Sequence, residues 1–348
     1  MHYISFHKTG KVVFALVLVC FFSAVNGCAN QIPAQSEFVL GTVCTVNLYN
    51  RGNAKVYREI FSRLREIESR MSANMDGTDV EAVNANAGIA PVAVHRDVLE
   101  VVQRSLYFAE LTGGAFDPTV GPLVKLWNIG SDDARIPRQE EIDAVLPLVN
   151  WRNVRVDEDA GTVFLTEPGM RLDLGAIAKG YAADEAARII AKARIPRAII
   201  DLGGNVYAYG TKEGGAPWRI GIQNPSGLRG SYLGIMEVRD KTMVTSGVYE
   251  RFFESGGIRY HHILSGKDGY PVSNGLLSVT IVTDHSIDAD ALSTGVFALG
   301  YEQGRALVES QDNAEAVFVF EDMSIRGTSG AFSYFSLTDR DYHIINGE

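Results

Sequence analysis

Asp290 and Thr294 stand four residues apart in the run DADALST, residues 288–294. On a helix, positions i and i+4 share one face, so a carboxylate and a hydroxyl would point the same way. That pair suits a hard cation such as Mg²⁺, which takes few protein ligands and keeps positions open for phosphate oxygens. The same run also suits a helix start, with Asp288 or Asp290 capping free N–H groups. Residues 173–181 read DLGAIAKGY and open a second helix. A glycine-containing helix start offers unpaired N–H groups and a positive dipole end to an anion. Lys179 would add a point charge for a phosphate, or serve only as a solvated lysine on an amphipathic helix.

Two further segments carry chemistry-bearing side chains. TGGAFDPTVGPL, residues 112–123, is a Gly/Pro-rich loop with one aromatic, Phe116, and one acid, Asp117. Such loops bind ligands or merely connect elements. His261 and His262 are adjacent, so on a strand they point to opposite faces and only one can face a site.

Composition removes several function classes. The 348 residues carry a net charge of −10, against the basic stripe that nucleic-acid binding requires. The three cysteines, Cys20, Cys28 and Cys44, form neither a disulfide framework nor a zinc-ligand spacing. No G-x-G-x-x-G follows a strand, no P-loop occurs, and Ser246-Gly247 lacks the rest of a G-x-S-x-G elbow.

The elements that must position these residues alternate along the chain. Residues 38–48 read as a β-strand, and 54–71 as an amphipathic helix with Val56, Ile60, Leu64, Ile67 and Met71 on one face. Further helices are expected over 95–111, from Pro137, and over 177–193, 289–299 and 302–310. Strands are expected around the 159–161 turn and near 197–201, 205–209, 218–223, 232–238, 242–246, 278–283 and 315–320. Several strands follow one another without a crossover helix, which predicts an α+β fold with a largely antiparallel sheet and flanking helices. Cys44, among apolar neighbours, reads as a small buried hydrophobe.

Residues 1–27 read as a targeting segment. Lys8 and Lys11 precede eleven apolar residues, VVFALVLVCFF, too few to span a bilayer. The following VNGC resembles a lipoprotein signal cleaved before Cys28, whose sulfur would carry lipid. The expected organisation is therefore a removed signal at 1–27, a tether at 28–37 and one catalytic domain over 38–348. The protein would be periplasmic and held at a membrane, with the inner membrane expected.

TGGAFDPTVGPL, DLGAIAKGYAAD, IDLGGN, VTSGVYERFF, HHIL and DADALST, in that order, closely resemble the ApbE-type flavin transferases. These are Mg²⁺-dependent FAD:protein FMN transferases. The resemblance implies FAD as substrate, and Mg²⁺, or alternatively Mn²⁺, held by Asp290, Thr294 and the Ala176 carbonyl. It implies FAD contacts from Ala115, Phe116, Asp117, Asp173 and Lys179, with Leu40 and Leu264 lining the pocket and His262 beside the diphosphate. His262 or a nearby carboxylate would take the acceptor's proton, and both stay open. The implied acceptor is a threonine on a membrane redox subunit, of an Rnf-type or sodium-pumping complex. Two positions depart from the family pattern. Asn74 in MSAN stands where a tyrosine is usual, so the flavin loses a stacking ring and water gains access; this implies added FAD pyrophosphatase activity. Leu264-Ser265 replaces the usual Asp-Pro. A dedicated FAD pyrophosphatase releasing FMN and AMP is the second reading, and a flavin-binding lipoprotein without turnover is the third.

Overall fold

A nine-stranded sheet carries the site. The computed structural model describes residues 32–228 and 230–345, so the signal segment and Cys28 lie outside the described residues. The first third contains β1 Gln35–Val39, β2 Thr42–Leu48, α1 Ala54–Met71, α2 Asp79–Ala85, β3 Val92–Ala93, α3 Arg96–Leu111, α4 Gly121–Trp127 and α5 Gln139–Val145. Then come β4 Val154–Asp157, β5 Thr162–Leu165, α6 Ala178–Lys192, β6 Arg197–Leu202, β7 Asn205–Gly210, β8 Trp218–Gln223, β9 Tyr232–Val238 and β10 Lys241–Gly247. The last third holds β11 Phe252–Ser255, β12 Ile258–His261, β13 Leu276–Thr283, α7 Ser286–Leu299, α8 Tyr301–Glu309, β14 Glu315–Phe320, β15 Ser324–Gly327, β16 Phe335–Leu337 and β17 His343–Ile344.

The large sheet runs β1-β2-β6-β7-β10-β13-β14-β15-β17. Every pairing in it is antiparallel except β15 with β17. Strand side chains alternate between two cores. Ala316 and Phe318 of β14 join the core beneath the helices, with Cys44, Ile200 and Ile281. Val317 and Val319 join a second core against the small sheet β16-β9-β8, with Met236 and Phe335. α7 is apolar on almost every side and is accordingly buried, from Ala289 through Asp290 and Ser293 to Phe297. A third, smaller core of Leu123, Trp127, Ile142 and Leu264 supports α4, α5 and the β11–β12 hairpin.

The single strand expected at 38–48 is a hairpin. Leu40 and Gly41 take φ of 57° and 67°, and Val39 pairs with Thr42 across a two-residue turn. Both turn positions need positive φ, which leucine disfavours, so nothing in the residue types marked the turn. β1 starts at Gln35, placing three residues of the expected tether inside the sheet. The loop expected at 112–123 runs into α4, and the helix expected from Pro137 starts at Gln139.

Candidate active site

α6 and α7 cross at Gly180. A Cβ there would lie 2.2 Å from the Ser286 carbonyl oxygen, so only glycine lets the two helices meet this closely. At the crossing each helix supplies the acceptor that the other's first turn lacks. Asp184 of α6 accepts from the Ser286 and Ile287 N–H groups, both at 2.9 Å. Asp290 of α7 accepts from the Gly180 N–H at 2.9 Å. Asp290 does cap a helix, but the neighbouring one; Asp288 instead pairs with Arg104 at 2.7 Å. Burial pushes the Asp184 carboxyl up to about 6, partly offset by those two N–H bonds.

Lys179 is drawn into the same crossing. Its ammonium donates to the Gly175 carbonyl at 2.8 Å and lies 3.4 Å from Asp290 Oδ1. It is therefore not a freely solvated lysine. Ala176, in the turn before α6, takes no hydrogen bond on its carbonyl among the described residues. Thr294 makes only long contacts, 3.4 Å to the Asp290 carbonyl and 3.3 Å to Ser246 Oγ. Ser246 of β10 also meets Ser293 Oγ at 2.9 Å, and Ser293 donates to the Asp290 carbonyl at 2.9 Å. These hydroxyls tie α7 to the sheet. No cluster of three or more His, Cys, Asp or Glu side chains forms a metal site among the described residues. The donors present are one buried carboxylate, one underused hydroxyl and one free carbonyl, and that hard-oxygen set fits Mg²⁺ or Mn²⁺ with positions left for substrate oxygens.

The 112–119 loop is stitched to the start of α6. Asp173 N–H donates to the Pro118 carbonyl at 2.8 Å, while Asp173 Oδ1 accepts from Gly175 N–H at 2.8 Å. Asp117 accepts from the Thr119 N–H and hydroxyl, at 2.8 and 2.6 Å, and from the Trp151 N–H at 3.1 Å. Burial raises its carboxyl above the usual range, against those bonds. Both oxygens of Asp117 are engaged inside the protein, so it shapes the loop. Phe116 is buried against Phe108, and its Cβ would meet a side chain at Gly295 of α7. Its ring faces the core, so any ligand contact at Phe116 falls to its backbone. Ala115, partly exposed, remains at the loop surface.

A second cluster forms where the β11–β12 hairpin begins and ends. His261 is buried, donates from Nε2 to the Val272 carbonyl at 2.8 Å and accepts at Nδ1 from Ile263 N–H. It is structural, leaving its neighbour to face outward. His262 N–H and Nδ1 both approach the Arg251 carbonyl, at 3.1 and 3.3 Å. A carbonyl only accepts, so Nδ1 carries the proton and Nε2 keeps a free lone pair. Burial among protein atoms, then the charges of Arg251 and His261, lower His262 to about 4. Between the ordinary pKa of 6.5 and about 4 the unfolded chain binds a proton here that the folded chain refuses. The contribution is complete above pH 6.5 and is lost as pH falls toward 4. His262→Gln should therefore flatten the acid side of the stability–pH curve in that window, measured by urea unfolding; an unchanged slope would place the shift elsewhere.

The remaining expected residues are more scattered. Leu40 sits at the β1–β2 turn, reached from Arg251 through Gly41. Leu264 is buried against Leu123 and Trp127, so its side chain belongs to the small third core and does not line a pocket. Asn74 is exposed after α1, with its N–H on Ser72 Oγ at 3.2 Å. Among the described residues, no hydrogen bond or ion pair joins the side chain of Asn74 or Leu264 to the α6–α7 crossing. Residue types alone did not single out Arg251, Asp184, Gly180 or Ser293, although Gly180 and Ser293 sit directly beside the suspected Lys179 and Thr294. Two open grooves, of about 440 and 430 Å³, lie elsewhere: one is lined by Arg63 and Glu185, the other by Lys125 and Arg135.

Comparison with known proteins identifies the family. The ApbE family profile matches residues 40–318. A FAD:protein FMN transferase of Treponema pallidum (strain Nichols) is 40% identical over 335 residues, covering 90% of this chain and 92% of that protein. One from Klebsiella pneumoniae (strain 342) is 36% identical, covering 91% and 98%. The crystal structure of the ApbE protein of Thermotoga maritima superposes with a TM-score of 0.79 at 32% identity, covering 86% of this chain and 98% of that one. With the profile spanning most of the chain and the match running through both halves of the site, the chain belongs to the ApbE family.

Proposed function

We propose that this chain transfers FMN from FAD to a threonine of an acceptor protein and releases AMP. The observation that carries the reading is the α6–α7 crossing, where a buried carboxylate, a lysine and an underused hydroxyl meet at a helix start. The relatives named FAD:protein FMN transferase support it. Mg²⁺, or Mn²⁺, bound to Asp290, Thr294 and the Ala176 carbonyl would neutralise charge on the FAD diphosphate.

The chain's own groups divide the remaining work. Lys179, its ammonium at the start of α6, attracts the diphosphate. Asp173 and Asp117 fix the loops that bring Ala115 and the Phe116 backbone toward it. The acceptor hydroxyl attacks the FMN-side phosphorus, the bond to the bridging oxygen breaks, and AMP leaves with that electron pair. His262 is neutral at pH 7, and its Nε2 lone pair is open to take the hydroxyl proton. Water in place of the acceptor gives FMN and AMP instead, and the exposed Asn74, with no ring to stack on flavin, favours this second outcome. The acceptor we propose is a redox subunit of an Rnf-type or sodium-pumping membrane complex. Lipid on Cys28 would anchor the chain beside it on the periplasmic side of the inner membrane.

The test mixes the full-length chain with FAD, with Mg²⁺ or EDTA, and with or without a threonine-bearing acceptor peptide. Chromatography then resolves FAD, FMN, AMP and flavinylated peptide. AMP and labelled peptide should form only with the metal, and free FMN should form without peptide. FAD intact under every condition would overturn the reading. In the same assay Asn74→Tyr should lower hydrolysis relative to transfer by severalfold; an unchanged ratio would remove the role given to Asn74.

A further inference from the structure

Arg251 has an exposed guanidinium and no carboxylate within ion-pair distance among the described residues. Among the described residues its only side-chain hydrogen bond is a long one, from Nη2 to the Gly41 carbonyl at 3.5 Å. The stem runs beside Gly130. Its Cδ lies 3.4 Å, and its Cβ and Cγ 3.8 Å, from where a Cβ of Gly130 would be. Gly130 takes φ of 96°, so side chains are disfavoured there and the space stays with the arginine. Glu68 is engaged with the Gly41 N–H at 3.3 Å.

The backbone of the same residue holds His262. The Arg251 carbonyl takes both the His262 N–H and its Nδ1–H. The guanidinium is thus tied, through one peptide unit, to the imidazole whose Nε2 is open. Lys179 also acts on that imidazole electrostatically, as Arg251 does. Two cations therefore act on His262, one anchored to the α6 start and one at the hairpin base. A planar guanidinium with unused N–H donors matches a phosphate bidentately, which an ammonium cannot do.

We infer that Arg251 binds the diphosphate of the dinucleotide substrate and holds it beside His262. This deepens the transferase reading and rests on it. The rival role is mechanical: Arg251 would merely prop the Leu40–Gly41 turn. The two roles differ in which ligands they affect, because a propped turn serves any flavin whereas a guanidinium clamp serves only a phosphorylated one.

The experiment compares the full-length wild type with Arg251→Met and Arg251→Lys, binding FAD or riboflavin in EDTA, followed by flavin fluorescence at several salt concentrations. Loss of one charge-assisted pair should weaken FAD binding by about tenfold or more in Arg251→Met. Riboflavin affinity should stay within about twofold, and the salt dependence of FAD binding should shrink. Arg251→Lys, which keeps the stem and the charge, should recover part of the FAD affinity. Equal losses for FAD and riboflavin would overturn the clamp in favour of the prop, and so would unchanged FAD affinity. Failure of the wild type to bind FAD at all would overturn the transferase reading together with the clamp, so the two failures are told apart.

Discussion

Asp290→Asn should leave a chain that folds and melts close to the parent yet cleaves FAD at least about a thousandfold more slowly. The amide keeps an oxygen for the Gly180 N–H, now 2.9 Å from Asp290 Oδ2, so the cap on α6 survives. What disappears is a full negative charge at a position only 3% exposed, where its absence is hardly screened by water. Asp290→Ala is the harsher variant. It leaves the Gly180 N–H without a partner, which costs about 1–3 kcal/mol beyond the loss of activity. Measuring AMP release alongside thermal melting separates the two contributions. Turnover near the parent rate in Asp290→Asn would show that the charge is not part of the chemistry and would move the metal away from this carboxylate.

Gly180→Ala should be nearly as damaging to activity, although it adds one methyl group and removes nothing. Its Cβ would sit 2.2 Å from the Ser286 oxygen and 2.7 Å from the Ile287 Cα. Both obstacles are backbone, so no side chain can rotate away and the helices must separate. Overpacking of this kind costs about 1–3 kcal/mol, visible as a melting midpoint several degrees lower. The same displacement carries Lys179 and Ala176 away from Asp290 and Thr294. Misplacement by about 1 Å can cost around a hundredfold in rate, and AMP release should fall by that order. A variant with parental kinetics would mean that the crossing distance does not set the site.

The sheet was legible because its strands alternate cleanly. In β14, Ala316 and Phe318 face one core while Val317 and Val319 face the other, and the predicted 315–320 span coincides with the strand. The β1–β2 turn was illegible because Leu40 adopts a left-handed conformation that its residue type does not advertise. Short segments without periodicity, such as β15, β16 and α2, were also missed, since too few residues exist to display a repeat. At the site, the helical spacing of Asp290 and Thr294 was readable. Which helix Asp290 would cap was not, because the partner N–H lies 110 residues away in the chain. The alternation of His261 and His262 was readable as a choice between faces, and packing against Phe297 shows which one is interior. Phe116 and Leu264 looked like ligand contacts because both sit within the motifs, but each fills a core. Motif membership says that a segment matters without saying which way its side chains turn.

The reciprocal capping of α6 and α7 fixes when the site comes into being. Asp184 and the N–H groups it serves are separated by 102 residues, a stretch that includes β6, β7 and β10 of the main sheet. Closing so long a loop is entropically costly and is repaid only once the intervening strands have paired. Neither helix finds its cap in its own neighbourhood, so both first turns stay incomplete until the two halves of the chain have docked. A nascent chain that has emerged only through α6 has Lys179 and Ala176 but lacks both Asp290 and Thr294. Catalytic competence therefore arrives as a single late event in folding, and no partly built form of the protein can spend flavin.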